Sequence, residues 1–188
     1  PGTYGARLTV GDWQAEAPVV VAPDPRVEHD EAAVAARSEL AIAIWRDVTR
    51  CHHALGRLRS VREQARAIAG RSETEAVDDA VDALVEALSP IEEGLTQPKL
   101  ESSQDVLNFP AGLDNQLVYL QSMVESGAGA PTAGAVERFT ELESSLDATI
   151  AELDALLAEK LPELERLIDE ADTPRIVAPP AEGPPTDG

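Results

Sequence analysis

Apolar and polar residues alternate with a period of two at the start of the chain and shift to a helical period about twenty residues later. From Thr3 to Val10, Tyr4, Ala6, Leu8 and Val10 fall on one face and Thr3, Arg7 and Thr9 on the other. Gly11-Asp12 is a two-residue turn signal, because glycine accepts the positive φ that a primed turn requires. Trp13, Ala15, Ala17, Val19 and Val21 then alternate on a second strand. Pro18 removes a backbone donor, so this strand is expected at an edge or at a bulge. A lone hairpin is marginal in water, so this one needs further strands, a helix or a second chain to lie against.

Ala22-Pro23-Asp24-Pro25-Arg26 reads as a stiff, extended boundary, since each proline disfavours helix in the residue before it. Helical spacing follows. The first stripe, within about 28–70, is Val34, Ala41, Ile44, Val48, Cys51, Leu55, Leu58, Val61, Ala65 and Ile68, widened by Ile42 and Trp45. The second is Val77, Val81, Leu84, Leu88, Ile91 and Leu95, and it keeps phase across Pro90, which predicts a kink rather than a break. Periodicity fails from 97 to 112, where Leu107 and Phe109 are the expected anchors into the core. A third helix over about 111–126 carries Leu113, Leu117, Leu120 and Val124. A fourth, over about 132–171, carries Val136, Phe139, Leu146, Ile150, Leu153, Leu157, Leu161, Leu164 and Ile168, and Pro162 is expected to bend it. The predicted fold is mainly α, an antiparallel up-and-down four-helix bundle with long first and last helices, preceded by a short β-hairpin. Three segments result: a β-hairpin over 1–26, the bundle over 27–172, and a disordered, proline-rich tail over 173–188.

Composition narrows the functional classes. The 188 residues carry a formal charge of −20 and only 3% aromatics. Such a surface repels nucleic acid and anionic lipid, and it offers few stacking platforms for bases. No run of about 18 apolar residues occurs, so no membrane insertion is expected. The charge is uneven: residues 1–71 hold 10 Arg against 9 Asp and Glu, whereas 72–188 hold 5 Lys and Arg against 26 acidic residues. Arg46, Arg50, Arg57, Arg59, Arg62, Arg66 and Arg71 crowd one segment, which predicts a basic helix lying beside acidic ones. A docking face for an acidic partner is the alternative.

Candidate chemistry is sparse. Cys51-His52-His53 is the one cluster of metal-capable side chains, but Cys51 lies on the apolar seam and adjacent helical histidines diverge by about 100°. Neither histidine has Glu three residues earlier, as a di-iron bundle requires. Glu141, Glu152, Asp154, Glu163 and Glu165 fall mainly between stripe positions, as a solvated face does. Glu143 sits on the seam, where Arg50 or Arg57 is a candidate partner. Ser102-Ser103 has no spaced base. Asn108 and Asn115 flank Pro110 and are expected to cap helix ends or satisfy backbone.

The runs Ile91-Glu92-Glu93-Gly94-Leu95-Thr96-Gln97, Ser103-Gln104-Asp105-Val106-Leu107-Asn108-Phe109-Pro110 and Leu113-Asp114-Asn115-Gln116-Leu117 resemble the C-terminal region of exported bacterial proteins with a sortilin-type β-propeller, often described as glycosyl-hydrolase-like. Gly2-Thr3-Tyr4, Arg7-Leu8-Thr9-Val10 and Val21-Ala22-Pro23-Asp24-Pro25-Arg26 resemble the last hairpin of their small immunoglobulin-like domain. The resemblance implies a parent that is extracellular or periplasmic. It also implies that any activity belongs to N-terminal β domains, since this chain holds no Ser-x-Asp-x-Gly-x-Thr-Trp box and no family catalytic residue maps onto it.

The expectation is a non-catalytic helical accessory module, without catalytic residues, cofactor or metal, that serves packing, spacing or protein contact. Its partners are the β domains of the parent chain, with homo-oligomerisation possible. A self-associating assembly protein that uses the hairpin edge is the second reading, and an enzyme with a site in the bundle is the third. Trp13, Val19 and Val21 are the candidate interface residues.

Overall fold

The computed structural model describes residues 1–26, 30–99, 102, 105–127 and 129–171. The expected tail over 173–188 lies outside the described residues. Two strands, β1 (Gly2–Val10) and β2 (Trp13–Val21), precede four helices: α1 (Glu31–Ala69), α2 (Glu75–Leu95), α3 (Leu113–Ser126) and α4 (Ala133–Glu170).

Local chemistry sets the helix bounds. Asp30 caps α1, its Oδ1 accepting from the amides of Ala32 and Ala33 at 3.0 and 3.3 Å. Thr132 caps α4 by accepting from the Ala135 amide at 3.1 Å. α2 runs through Pro90 and α4 through Pro162 as single helices. Beside Pro90, the Ser89 hydroxyl donates to the Val85 carbonyl at 2.9 Å.

The stripes meet in one core. Ile44, Cys51, Leu58 and Val61 of α1 are fully buried with Val77, Leu84, Leu88 and Leu95 of α2, Leu117 of α3, and Leu146, Leu153, Leu164 and Ile168 of α4. Ile42 and Trp45, read as widening the α1 stripe, are instead about half exposed. α1 continues past the end of α2 to meet α3, so the flank that α2 covers farther along is covered there by a shorter helix.

The four helices are present, but their directions differ from an up-and-down bundle. Arg50 pairs with Asp147 and Arg57 with Asp154. Both pairs span 97 residues, so α1 and α4 run parallel in constant register. α2 runs antiparallel to α1: Arg59 and Arg62 reach Glu92, while the Cys51 thiol, farther back on α1, donates to the carbonyl of Leu95. α3 keeps the direction of α2, and its far end meets the start of α1 where Arg37 donates to the Gly127 carbonyl. α2 and α3 each pack on α1 and on α4 but scarcely touch each other. They form two successive pieces of one descending leg, and the molecule is three helices thick.

At the join of those pieces, Thr96 Oγ1 donates to Asp114 Oδ2 at 2.8 Å. Gly112 is buried there. A side chain at 112 would bring its Cβ within 2.6 Å of the Thr96 carbonyl carbon, so only glycine lets the two chain segments approach so closely. The expected anchor Leu107 is 85% exposed, because the short 3-10 turn Asp105–Leu107 directs it outward. Phe109 is half-buried, with Lys99 Nζ 5.8 Å from its ring centre.

The parallel register is open to double-mutant cycles. Arg50 with Asp147, and Arg57 with Asp154, should each show a coupling of about 0.2–1 kcal/mol in urea unfolding, the range for partly exposed pairs. Arg50 with Glu143, one turn earlier on α4, should show none. Coupling at 143 and none at 147 would require a different register.

Candidate functional site

Two parts of the molecule bear on function, a polar network inside the helices and the hairpin. The network pairs its charges within the helices, although Asp47 Oδ2 and the Nε and Nη2 of Arg62 are buried without a hydrogen-bond partner. Glu92 is a buried carboxylate on α2. Arg59 Nε donates to its Oε1 at 2.7 Å, and Arg62, with only 16% of its side chain exposed, donates to Oε2. Burial alone pushes the Glu92 carboxyl up, but the hydrogen bonds and charges of Arg59 and Arg62 outweigh it and hold the group below its ordinary 4.5. Asp47 is buried on α1 and accepts from Arg50 at 2.8 Å through Oδ1, while its Oδ2 has no hydrogen-bond partner. The basic stretch of α1 is thus matched within the molecule at Arg50, Arg57, Arg59 and Arg62. The partners of Arg50 and Arg57 on α4 are Asp147 and Asp154, not Glu143, because the two arginines and the two aspartates share a seven-residue spacing.

Cys51, His52 and His53 separate as their helical directions require. Cys51 faces the core, 3.6 Å from the Leu95 carbonyl. Burial, then the nearby charges of Asp114 and Asp47, push its thiol up to about 12, so it stays protonated and unreactive at neutral pH. His52 and His53 lie on the exposed side of α1. Among the described residues no group of three or more His, Cys, Asp and Glu is placed to hold a metal. No helix among them is long and apolar enough to cross a membrane. Asn108 and Asn115 are both exposed. The N-terminal end of α3 at Gly112 has no side-chain cap. An open cleft of about 540 Å³ lies between α3 and α4, walled by Tyr119, Met123 and Ala111 and edged by Asn115 and Arg138. Arg138 is already engaged by Glu141 and Gln116.

The hairpin is open. Its strands pair without a bulge, from Gly2 opposite Val21 to Val10 opposite Trp13, and Gly11 makes the turn at φ +59°. This register puts Tyr4, Ala6, Leu8, Val10, Trp13, Ala15, Ala17, Val19 and Val21 on one face. The three predicted interface residues share it. No helix packs on that face, and every residue of both strands is exposed. Leu8 is 59% exposed, Val10 63% and Trp13 56%. On the other face the Arg7 and Glu16 side chains pair at 2.6 Å. Near the open end, an open cleft of about 660 Å³ separates Tyr4 and Val21 from Val34 and Ser38 of α1.

Comparison with protein-family models, with curated proteins and with solved structures finds no match for the chain.

The Glu92 network has a signed pH dependence. Its pKa is lower folded than unfolded, so the stabilisation is complete above the unfolded value of 4.5 and is lost as pH falls through the folded value. Glu92→Gln should lower unfolding free energy at pH 7 by roughly 2–4 kcal/mol, because it strands a buried Arg62. Urea titrations at pH 7 and pH 3 should show the gap between parent and variant narrowing at the lower pH. A gap that stays constant would mean that the charge of Glu92 is not what the arginines stabilise.

Proposed function

We propose that this chain is a non-catalytic helical module of a larger exported protein, in which it packs against and spaces β domains. The observation that carries the reading is the contrast between its two parts. The helices bury most of their stripe residues and match the Arg59, Arg62 and Glu92 charges internally, leaving little that a substrate would complete. The hairpin leaves nine consecutive face positions uncovered, from Tyr4 to Val21. An apolar sheet face of this extent is what a second sheet layer covers in a β-sandwich. The likeness of residues 1–26 to the last hairpin of an immunoglobulin-like domain supports such a neighbour, and a sortilin-type propeller is the proposed source of any activity.

In the whole protein the rod would hold two ends apart by the length of α1. Helix lengths of 39 and 38 residues give about 58 Å at 1.5 Å per residue. Net negative charge along the helices keeps that surface from adhering to other acidic surfaces.

The apolar face should bind a fluorescent hydrophobic dye, and Leu8→Glu with Trp13→Glu should abolish most of that signal. Helical unfolding of the doubly substituted chain should shift by no more than about 0.5 kcal/mol, since the face contributes nothing to the core. A large loss of helical stability would show that the hairpin is part of the helical unit and sink the docking role. The coding DNA ahead of Pro1 tests the parentage. A reading frame for a β-propeller supports it, and a start codon directly before Pro1 overturns it.

A further inference from the structure

The hairpin has two outer edges, and they are not equivalent. Val10 and Trp13 flank a two-residue turn, a position in which both residues of the pair bond across the ladder. Counting back, Leu8 with Ala15, Ala6 with Ala17 and Tyr4 with Val19 are bonded pairs of the same kind. Thr3, Gly5, Arg7 and Thr9 on β1, and Gln14, Glu16, Pro18 and Val20 on β2, therefore direct their backbone groups outward. Pro18 stands opposite Gly5 in this alternate set. It leaves the internal ladder intact and deletes a donor from the middle of the outer edge of β2. The outer edge of β1 has no such interruption.

We propose that β1 is a pairing edge and that its occupant is β1 of a second copy of this chain, in an antiparallel, two-fold arrangement. The register follows from side chains. Centring the axis on Ala6 places Gly5 opposite Arg7, Thr3 opposite Thr9 and Tyr4 opposite Leu8 of the second copy. All four outward residues are then used, and no like charges meet. Centring on Arg7 would set two guanidinium groups against each other, which destabilises a sheet. The product is a four-stranded sheet, β2-β1-β1-β2, with a Pro18 edge on each side to stop further growth. A sheet of this size has the strand number that a lone hairpin lacks.

Charge selects the same contact. Residues 1–26 carry 2 Arg against 3 Asp and Glu, whereas residues 27–171 carry 12 Lys and Arg against 29 acidic residues. Two copies repel along their helices and meet without that penalty at their hairpins. Edge pairing leaves the apolar face uncovered, so this contact is separate from the β-domain packing proposed above, and either can fail alone.

Analytical ultracentrifugation of the whole chain tests the pairing. The mass should rise with concentration from 20.0 kDa towards about 40 kDa. The association should tighten as salt screens the helices, over about 0.05–0.5 M. Arg7→Pro should weaken it at least about tenfold by removing an outward donor from β1. Glu16→Pro breaks the same Arg7–Glu16 pair and puts proline on the other edge, and it should leave association unchanged. Thr3→Glu with Thr9→Glu should weaken the dimer by opposing like charges, and Thr3→Lys with Thr9→Glu should restore it. A mass of 20.0 kDa at every concentration overturns the proposal. So does an equal loss in the two proline variants, or a failure of the charge reversal to restore pairing.

Discussion

The structure depends on one topological constraint: its two longest helices are parallel. Two parallel helices cannot be joined by a short loop, because the chain leaves the first at the end opposite to where it must enter the second. A return leg of nearly their full length is required. α1 spans 39 residues and α4 spans 38, about 58 Å each. α2 and α3 together contribute 21 and 14 helical residues, about 53 Å. The descending leg thus matches the ascending ones, and it is made in two pieces. Gly112 against Thr96 is where the pieces are fitted together. The ion pairs Arg50–Asp147 and Arg57–Asp154 then fix the outer helices against sliding, since a slip by one residue would separate both pairs at once.

The stripes were legible because burial on one side of a helix leaves a three-four spacing that needs no partner to be recognised. Strand alternation and the Gly11-Asp12 turn were legible for a similar local reason. Direction was not, because a stripe reads the same from either end. Four amphipathic segments suggested alternating directions, and the long aperiodic connector over 97–112 permits either outcome. Leu107 was misplaced because an apolar residue outside any periodicity has no phase to say which way it points. Glu143 was the expected partner because it sits on the seam, whereas Asp147, also acidic and one turn later, is the residue that pairs with Arg50. The signal that distinguishes them was present as equal seven-residue spacings, Arg50 to Arg57 and Asp147 to Asp154. Equal spacing in the same order along two segments is what parallel helices in register produce.

Placement of the candidate site shows the same limit. Trp13, Val19 and Val21, the candidate interface residues, share one exposed face. Alternation assigns residues to faces but cannot say which backbone groups point outward at each edge. That required the pairing across the turn. Once Val10 is opposite Trp13, the role of Pro18 is settled by parity: one residue earlier or later, it would have broken the internal ladder. The network around Glu92 was less legible, because an acidic residue in an acidic helix gives no sign that two arginines will enclose it.

Buried contact is divided unevenly between the two parts of the chain. The helical part is held by core contacts and ion pairs among its own helices. The hairpin has a ladder and a turn but no layer beneath it, and a two-stranded ribbon alone recovers little of the entropy lost in ordering it. A partner that covered its face or extended its edge, as proposed, would contribute order as well as contact. The helices and the hairpin share little beyond the Pro23 to Arg26 boundary.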